Sequence, residues 1–412
     1  MNYFTRSNAR LRPVGASLLI LAVLAFSGGC RKMTIDKKDL RDFQQINLVS
    51  NTVKYSPFLK DPTLQNAWGL AWSPTGIAWV NSQAGHVSEL YSLDGAALRA
   101  GVKIPSPADT SAGGNPTGVV FNPTKGFKIS NGAAANFLFV GVDGMVTGWN
   151  GAAGASARVV ANHSATSSYT GLTTAVSGGF TYLYAADFRT GRIAVWDTAW
   201  NAVTWMPFRD PALPSGYAPF NIQSVGTWLY VMYAKVGPDG RDQAGAGLGF
   251  VDVFNTNGSF VKRFASRGSL NAPWGVVEAP ASFLAGMQMD KGDNDEKHGG
   301  GNDNSGPGNN NGNDNSGHGN NNGPDNKDLT QPVILVGNFG DGHINVYTLD
   351  GTYQGQLQSH SRTIVIDGLW ALSFAPSTST IPAGDTNIAD RLYFTAGLDK
   401  ETNGLFGYLL KQ

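Results

Sequence analysis

The side chains of this sequence that could do chemistry fall into two recurring positions. Asn66, Asn115, Tyr169, Tyr217, Asn271 and Asp367 stand just before a short apolar run, and Asn221 lies inside one. Asn81, Asp143, Asp187 with Arg189, Asp239 with Arg241 and Asp242, Asn338 with Asp341, and Asp399 with Glu401 stand in or beside glycine-rich turns. If the first set converges, it offers a ring of oxygen ligands to a hard divalent cation such as calcium, or to a polar substrate. If the second converges, it offers a charged rim for a small molecule, a glycan or a protein. The same residue types also cap turns by bonding nearby backbone, which needs no ligand.

No locally spaced reaction centre accompanies them: there is no GxSxG, no HExxH, no phosphate-binding P-loop and no GxGxxG opening a helix. Chemistry, if present, must be assembled from single residues far apart in sequence. His86 and His343 follow a turn glycine in equivalent places and read as exposed strand starters, because equivalent places in a ring need not meet.

The elements that would position these residues repeat. The segment ILVGNFGDGHINVYTLDG at residues 334–351 is an apolar strand, a Gly-Asp-Gly turn and an alternating second strand, a β-hairpin by pattern. Related hairpins start at Ile77, Phe137, Tyr182, Leu229 and Arg391. Each follows a short strand of its own: NAWGLAWSP, NPTGVVFNP, YTGLTTAV, APFNIQSV, NAPWGVVEA and DGLWALSFAP. Gly69, Gly118, Gly171, Asn221 and Gly275 mark equivalent places 49, 53, 50 and 54 residues apart. Four short strands at such a period predict an all-β fold, a six-bladed β-propeller. The last repeat has three strands, and the alternating segment FQQINLVS at residues 43–50 has no blade of its own. The N-terminal strand is therefore expected to complete the last blade and remove an open edge. Trp68, Trp274 and Trp370 lie on inner strands and read as packing between blades.

Thirty basic residues balance thirty acidic ones across the 412, so no overall field favours nucleic acid; a monomer is expected. Residues 1–29 read as an export signal: Arg6, Arg10 and Arg12 precede an apolar run at residues 14–26, too short to span a bilayer. Cys30, the one cysteine, follows Gly29 where a bacterial lipoprotein signal places its acylated residue, although Ser27 departs from the usual Leu. An ordinary signal peptide with a chance cysteine is the alternative. The lipid reading predicts a tether at residues 30–42 and a membrane-anchored protein of the cell envelope, periplasmic or at the surface.

Residues 43–412 form the propeller, interrupted at about residues 287–328 by a tract that repeats GNDNSGPGNNN as GNDNSGHGNNN. Its composition predicts disorder. Asp303, Asp314 and Asp325 recur every 11 residues, yet the apolar residue that calcium-binding rolls place after each Asp is missing. The 235–249 connection is longer than a hairpin needs and is either a lid or an idle surface loop.

Taken together, NAWGLA, GYAPFNIQ, GFVDVF, LNAPWGV and VGNFGDGHINVY resemble an uncharacterised family of exported bacterial propeller proteins with NHL-like repeats. The resemblance covers residues 43–410 and implies no activity. More distantly, the architecture is similar to that of calcium-dependent sugar lactonases, but no matching Glu stands at a blade entrance to carry their ligand set across. Two functions are expected to compete: a binding module using the hairpin-turn face, and a cation-dependent hydrolase or lyase at the channel mouth.

Overall fold

The computed structural model describes residues 35–285, 332–379 and 388–412, which belong to one compact unit. The signal reading at residues 1–29, Cys30 and the tract at 287–328 lie outside the described residues. The fold is a six-bladed β-propeller. Its inner strands are Ala67–Trp72, Pro116–Phe121, Tyr169–Ser177, Tyr217–Val225, Pro273–Ala279 and Leu369–Ser373. All six line one small central cavity, to which they bring Gly69, Gly118, Leu172, Asn221, Gly275 and Leu372.

The repeated glycine has a steric cause. A Cβ on Gly69 would run into the Thr117 carbonyl oxygen of the next blade, and one on Gly171 into the Asn221 side chain. Adjacent inner strands approach too closely there for any side chain. Every inner strand also shifts register at this place, as between Ala67 and Leu70 or Pro273 and Gly275. Such a bulge bends the strand locally and increases its twist. The apolar cores lie between blades, where Trp79 of blade one stacks on Phe137 of blade two at 4.0 Å.

The closing blade is built as the orphan strand suggests. Phe43–Ser50 pairs antiparallel with Asn403–Lys411, which continues into Leu392–Gly397 and Leu369–Ser373. Phe43, Leu48 and Val49 are buried by this pairing. Within the stretch read as a tether, Lys37–Leu40 forms one turn of 3-10 helix against the ring. Leu40 is buried there, and Lys411 Nζ donates to the Asp39 carbonyl at 2.8 Å. Among the described residues no helix is long and apolar enough to cross a membrane.

Blade three departs from the repeat. It has three strands, Tyr169–Ser177, Phe180–Asp187 and Arg192–Asp197, where the pattern predicts four. The following chain starts to pair, with Val203 N–H donating to the Val195 carbonyl at 2.8 Å, and then crosses to blade four. Met206 is buried in the cluster holding Ile222, Leu229 and Phe254, and Phe208 N–H donates to the Gly258 carbonyl. Pro207, which has no N–H for a ladder, sits at the crossing.

Candidate functional site

Each blade ties its hairpin to its own entrance by the same bond. The residue ending or following the second strand donates to a carbonyl just before the inner strand or at its start: Gln83 to Asn66, Val142 to Asn115, Phe188 to Ser168, Val236 to Gly216, Phe339 to Ala272 and Gly397 to Gly368, at 2.9–3.2 Å. The two sets of candidate residues therefore share one face. On its axis, however, that face is filled. Trp370, fully buried, stacks on Trp68 at 3.6 Å and on Phe339 at 3.9 Å, and Trp274 meets it edge-on at 5.9 Å. Within the ring the central cavity measures about 20 Å³, little more than one water requires.

Polar bonds cover this plug. The Trp370 indole N–H donates to Asn66 Oδ1 at 2.9 Å, Asn66 Nδ2 donates to Gln83 Oε1 at 3.0 Å, and Gln83 Nε2 donates to Asn115 Oδ1 at 3.0 Å. Asn221 is buried and donates to the Trp274 carbonyl. Asp341 gathers Asn338 at 3.0 Å and Asn271 at 3.2 Å, and Asn271 Oδ1 takes the Gly245 N–H at 2.6 Å. Asp367 accepts the Asp399 N–H at 2.8 Å. These oxygens and amides hold the entrance loops to one another. Among the described residues no three His, Cys, Asp or Glu side chains gather as a metal site.

One contact across the mouth, and one within the last blade, were not visible as pairs in the sequence. The 235–249 connection folds back through Asp242–Gln243, and Arg241 at its tip forks onto Glu401 of the last blade, with both bonds 2.9 Å. Burial, with Glu401 nearby, pushes the neighbouring Asp242 carboxyl up to about 6. Glu401 ends a run of three residues, Asp399, Lys400 and Glu401, with φ of 54°, 57° and 67°. Left-handed backbone costs an ordinary residue about 1–2 kcal/mol, so such a run must be held in place. Asp399 holds its first residue, accepting bonds from Lys54 at 2.7 Å, Tyr55 at 2.6 Å and Asn403 at 2.8 Å.

Those donors, Lys54 first, lower the Asp399 carboxyl to about 2. Its ordinary value is about 3.9, so the pinning is complete above about pH 4 and is lost as pH falls through about 2. Amide exchange over residues 399–403 should keep its normal pH dependence from pH 7 to 4 and accelerate beyond it between pH 4 and 2. Lys54→Met should move that onset upward; exchange indifferent to this variant would remove the carboxylate from the account.

Asp187 and Arg189 stand apart from the mouth, beside the opening left by the missing strand of blade three. Asp187 is not an exposed turn residue: it is 3% exposed, and its Oδ1 accepts the Ser168 and Thr190 N–H groups at 3.1 and 3.3 Å. Arg189 reaches the Ser164 carbonyl at 3.4 Å. The opening is a groove of about 900 Å³. One wall is the strand Arg192–Asp197, whose edge is open at Ile193, and the other carries Met206, Phe208 and Arg209. At its hairpin-face end, His163 lies parallel to Trp196 with centroids 6.1 Å apart, and its Nδ1 meets the Tyr169 hydroxyl at 2.7 Å. Burial raises the Tyr169 hydroxyl to about 12. This groove was missed because the outer strands are the least patterned of the repeat; the signal for it was Pro207, Pro211 and Pro214 where a fourth strand should run.

No protein-family model matches the chain. Two uncharacterised proteins of Acanthamoeba polyphaga mimivirus do: one is 31% identical over 378 residues, covering 88% of this chain and 79% of the relative. The other is 30% identical over 367 residues, covering 85% and 81%. The chain belongs to their family. These relatives are viral, whereas the sequence motifs resemble exported bacterial proteins, and neither viral name states an activity. Among solved structures, a streptogramin B lyase aligns over 90% of this chain and 97% of its own at 11% identity, with a TM-score of 0.46. A calcium-binding regucalcin from Agrobacterium tumefaciens aligns over 84% and 92%, also at 11% identity, with a TM-score of 0.44. Likeness at this level brings neither activity nor ligand residues to this member of the family.

Proposed function

We propose that this protein is a binding module, exported and tethered to a membrane through a lipid on Cys30, that takes its ligand on the hairpin-turn side of the ring, in the groove beside blade three. The difference in room supports the reading: about 900 Å³ beside blade three against about 20 Å³ in the channel, whose mouth Trp370 and its neighbours fill. Ligand sites are concave, largely apolar and furnished with a few polar groups, and the groove combines Trp196, Met206 and Phe208 with His163, Arg192 and Arg209.

The test is a metabolite and protein-interaction screen run in parallel on the wild type, on Arg192→Glu/Arg209→Glu, and on Arg241→Ala/Asp341→Ala at the mouth. The groove variant should lose its ligand by at least about tenfold while its melting temperature moves little, since exposed substitutions shift stability by about 0.5 kcal/mol. Retention by the groove variant with loss by the mouth variant would place binding at the channel instead. Asp187→Ala is unsuitable as a binding test, because it strands two backbone donors and should cost about 1–3 kcal/mol.

For the tether, Cys30→Ser should release the exported protein into the soluble fraction, since acylation needs the thiol. Equal recovery of mutant and wild type in membranes would refute the lipid.

A further inference from the structure

The groove is bounded by backbone as well as side chains. Val195 turns its carbonyl outward to accept from Val203, and Asp197 turns its N–H outward to donate to Asn201. On an antiparallel strand alternate residues face the same edge, so Ile193 also presents its N–H and C=O outward. Among the described residues those two groups of Ile193, and the N–H of Val195, have no hydrogen-bond partner. The fourth place is filled in the other five blades, by Ala97–Lys103, Arg158–Asn162, Phe260–Ser266, Tyr353–Gln356 and Phe43–Ser50. The last of these comes from the far end of the chain, so one blade of this ring is already completed by a strand from outside its own repeat.

We propose that the groove is a strand-addition site: an extended, acidic segment of a partner polypeptide pairs with the open part of the Arg192–Asp197 edge, at Ile193 and the Val195 N–H, and extends blade three. This rests on the reading of the groove as the ligand site and names its occupant. A peptide main chain supplies the donors and acceptors that Ile193 and Val195 lack, and its alternating side chains divide between the two sides of the sheet. One side offers Trp196 and Ala194, the other Val203, Met206 and Phe208. Charge sets the partner's sign. Arg192 and Arg209 are exposed in the lining, and Arg189 stands exposed on the adjoining turn. The one carboxylate in the lining, Asp187, is buried and occupied by backbone donors. Asp197, at the end of the strand, is taken up by Asn201 and the Ala199 N–H.

The probe is a synthetic eight-residue peptide alternating aspartate and valine, offered to the intact protein beside a version with lysine for aspartate and one N-methylated at alternate residues. The acidic peptide should bind and slow amide exchange at Ile193 and Val195 by at least about tenfold, the signature of ladder formation. N-methylation should weaken binding at least about tenfold, the lysine peptide should not bind, and Arg192→Glu/Arg209→Glu should lose the acidic peptide without a change in melting temperature. Binding that ignores N-methylation and leaves Ile193 and Val195 unprotected overturns strand addition, while the groove survives as a charged site. No binding of the acidic peptide at millimolar concentration also overturns it, as does a wild-type dimer in sedimentation that Arg192→Glu dissociates, which would make a second copy the occupant. The groove reading itself fails only if Arg192→Glu/Arg209→Glu keeps every interaction found for the wild type in the parallel screen.

Discussion

A chain beginning at residue 51 should not fold to a stable ring. The missing strand, Phe43–Ser50, pairs with the last strand from Leu405 to Lys411 and buries Phe43, Leu48 and Val49. Each such side chain is worth about 1.5–3 kcal/mol, so together they contribute about 4.5–9 kcal/mol, comparable with the roughly 5–15 kcal/mol net stability of a typical protein. Deletion also bares the edge of Asn403–Lys411, which can then pair with another chain. The expected result is a protein recovered as aggregate, or one without a cooperative melting transition at 37 °C. Excising residues 299–325, which have almost no apolar side chains to bury, should move the melting temperature by no more than about 2 °C. Equal melting temperatures for the two deletions would show that the ring does not depend on its first strand.

Trp370→Ala should be the most damaging single substitution. Its indole is enclosed by Trp68, Phe339, Trp274 and Phe220, and its N–H occupies Asn66. Removing a buried Trp costs about 3–5 kcal/mol, partly as transfer and partly as the cavity left behind. Trp370→Phe keeps most of the stacking but leaves Asn66 Oδ1 without this donor, so a loss of about 1–3 kcal/mol is expected. Denaturant titrations of the two variants provide the measurement. A loss under about 1 kcal/mol for the alanine variant would mean that the aromatic cluster is not what closes the channel.

The ring was legible because its repeat is imposed by contact. Gly69 and Gly171 are small because the next blade's inner strand lies against them, and the same close approach recurs at Gly118 and Gly275. The shared face was legible too, since hairpin turns and entrances alternate in a propeller. The chemistry of the individual residues was not. Asn66, Asp187 and Asn338 carry the same letters whether they cap backbone or bind a ligand, and only their partners tell the two apart. Arg241 and Glu401 pair across 160 positions of sequence with no local pattern to link them. The missing strand of blade three had a signal in Pro207, Pro211 and Pro214, but an outer strand packs on one neighbour and carries little alternation to lose.

The pairing of Phe43–Ser50 with Asn403–Lys411 also fixes when the molecule can be finished. The first strand leaves the ribosome about 360 residues ahead of its partner, as the pairing of Asn47 with Gly407 shows. At roughly 5–20 residues per second, on the order of 20–70 s separate the two. During that interval the emerging blades can assemble in order, each on the one before, while the first strand waits without a sheet. Its apolar residues Phe43, Leu48 and Val49 are then the ones a holding chaperone would find exposed, and the final step of folding is a joining of distant chain segments rather than a local one.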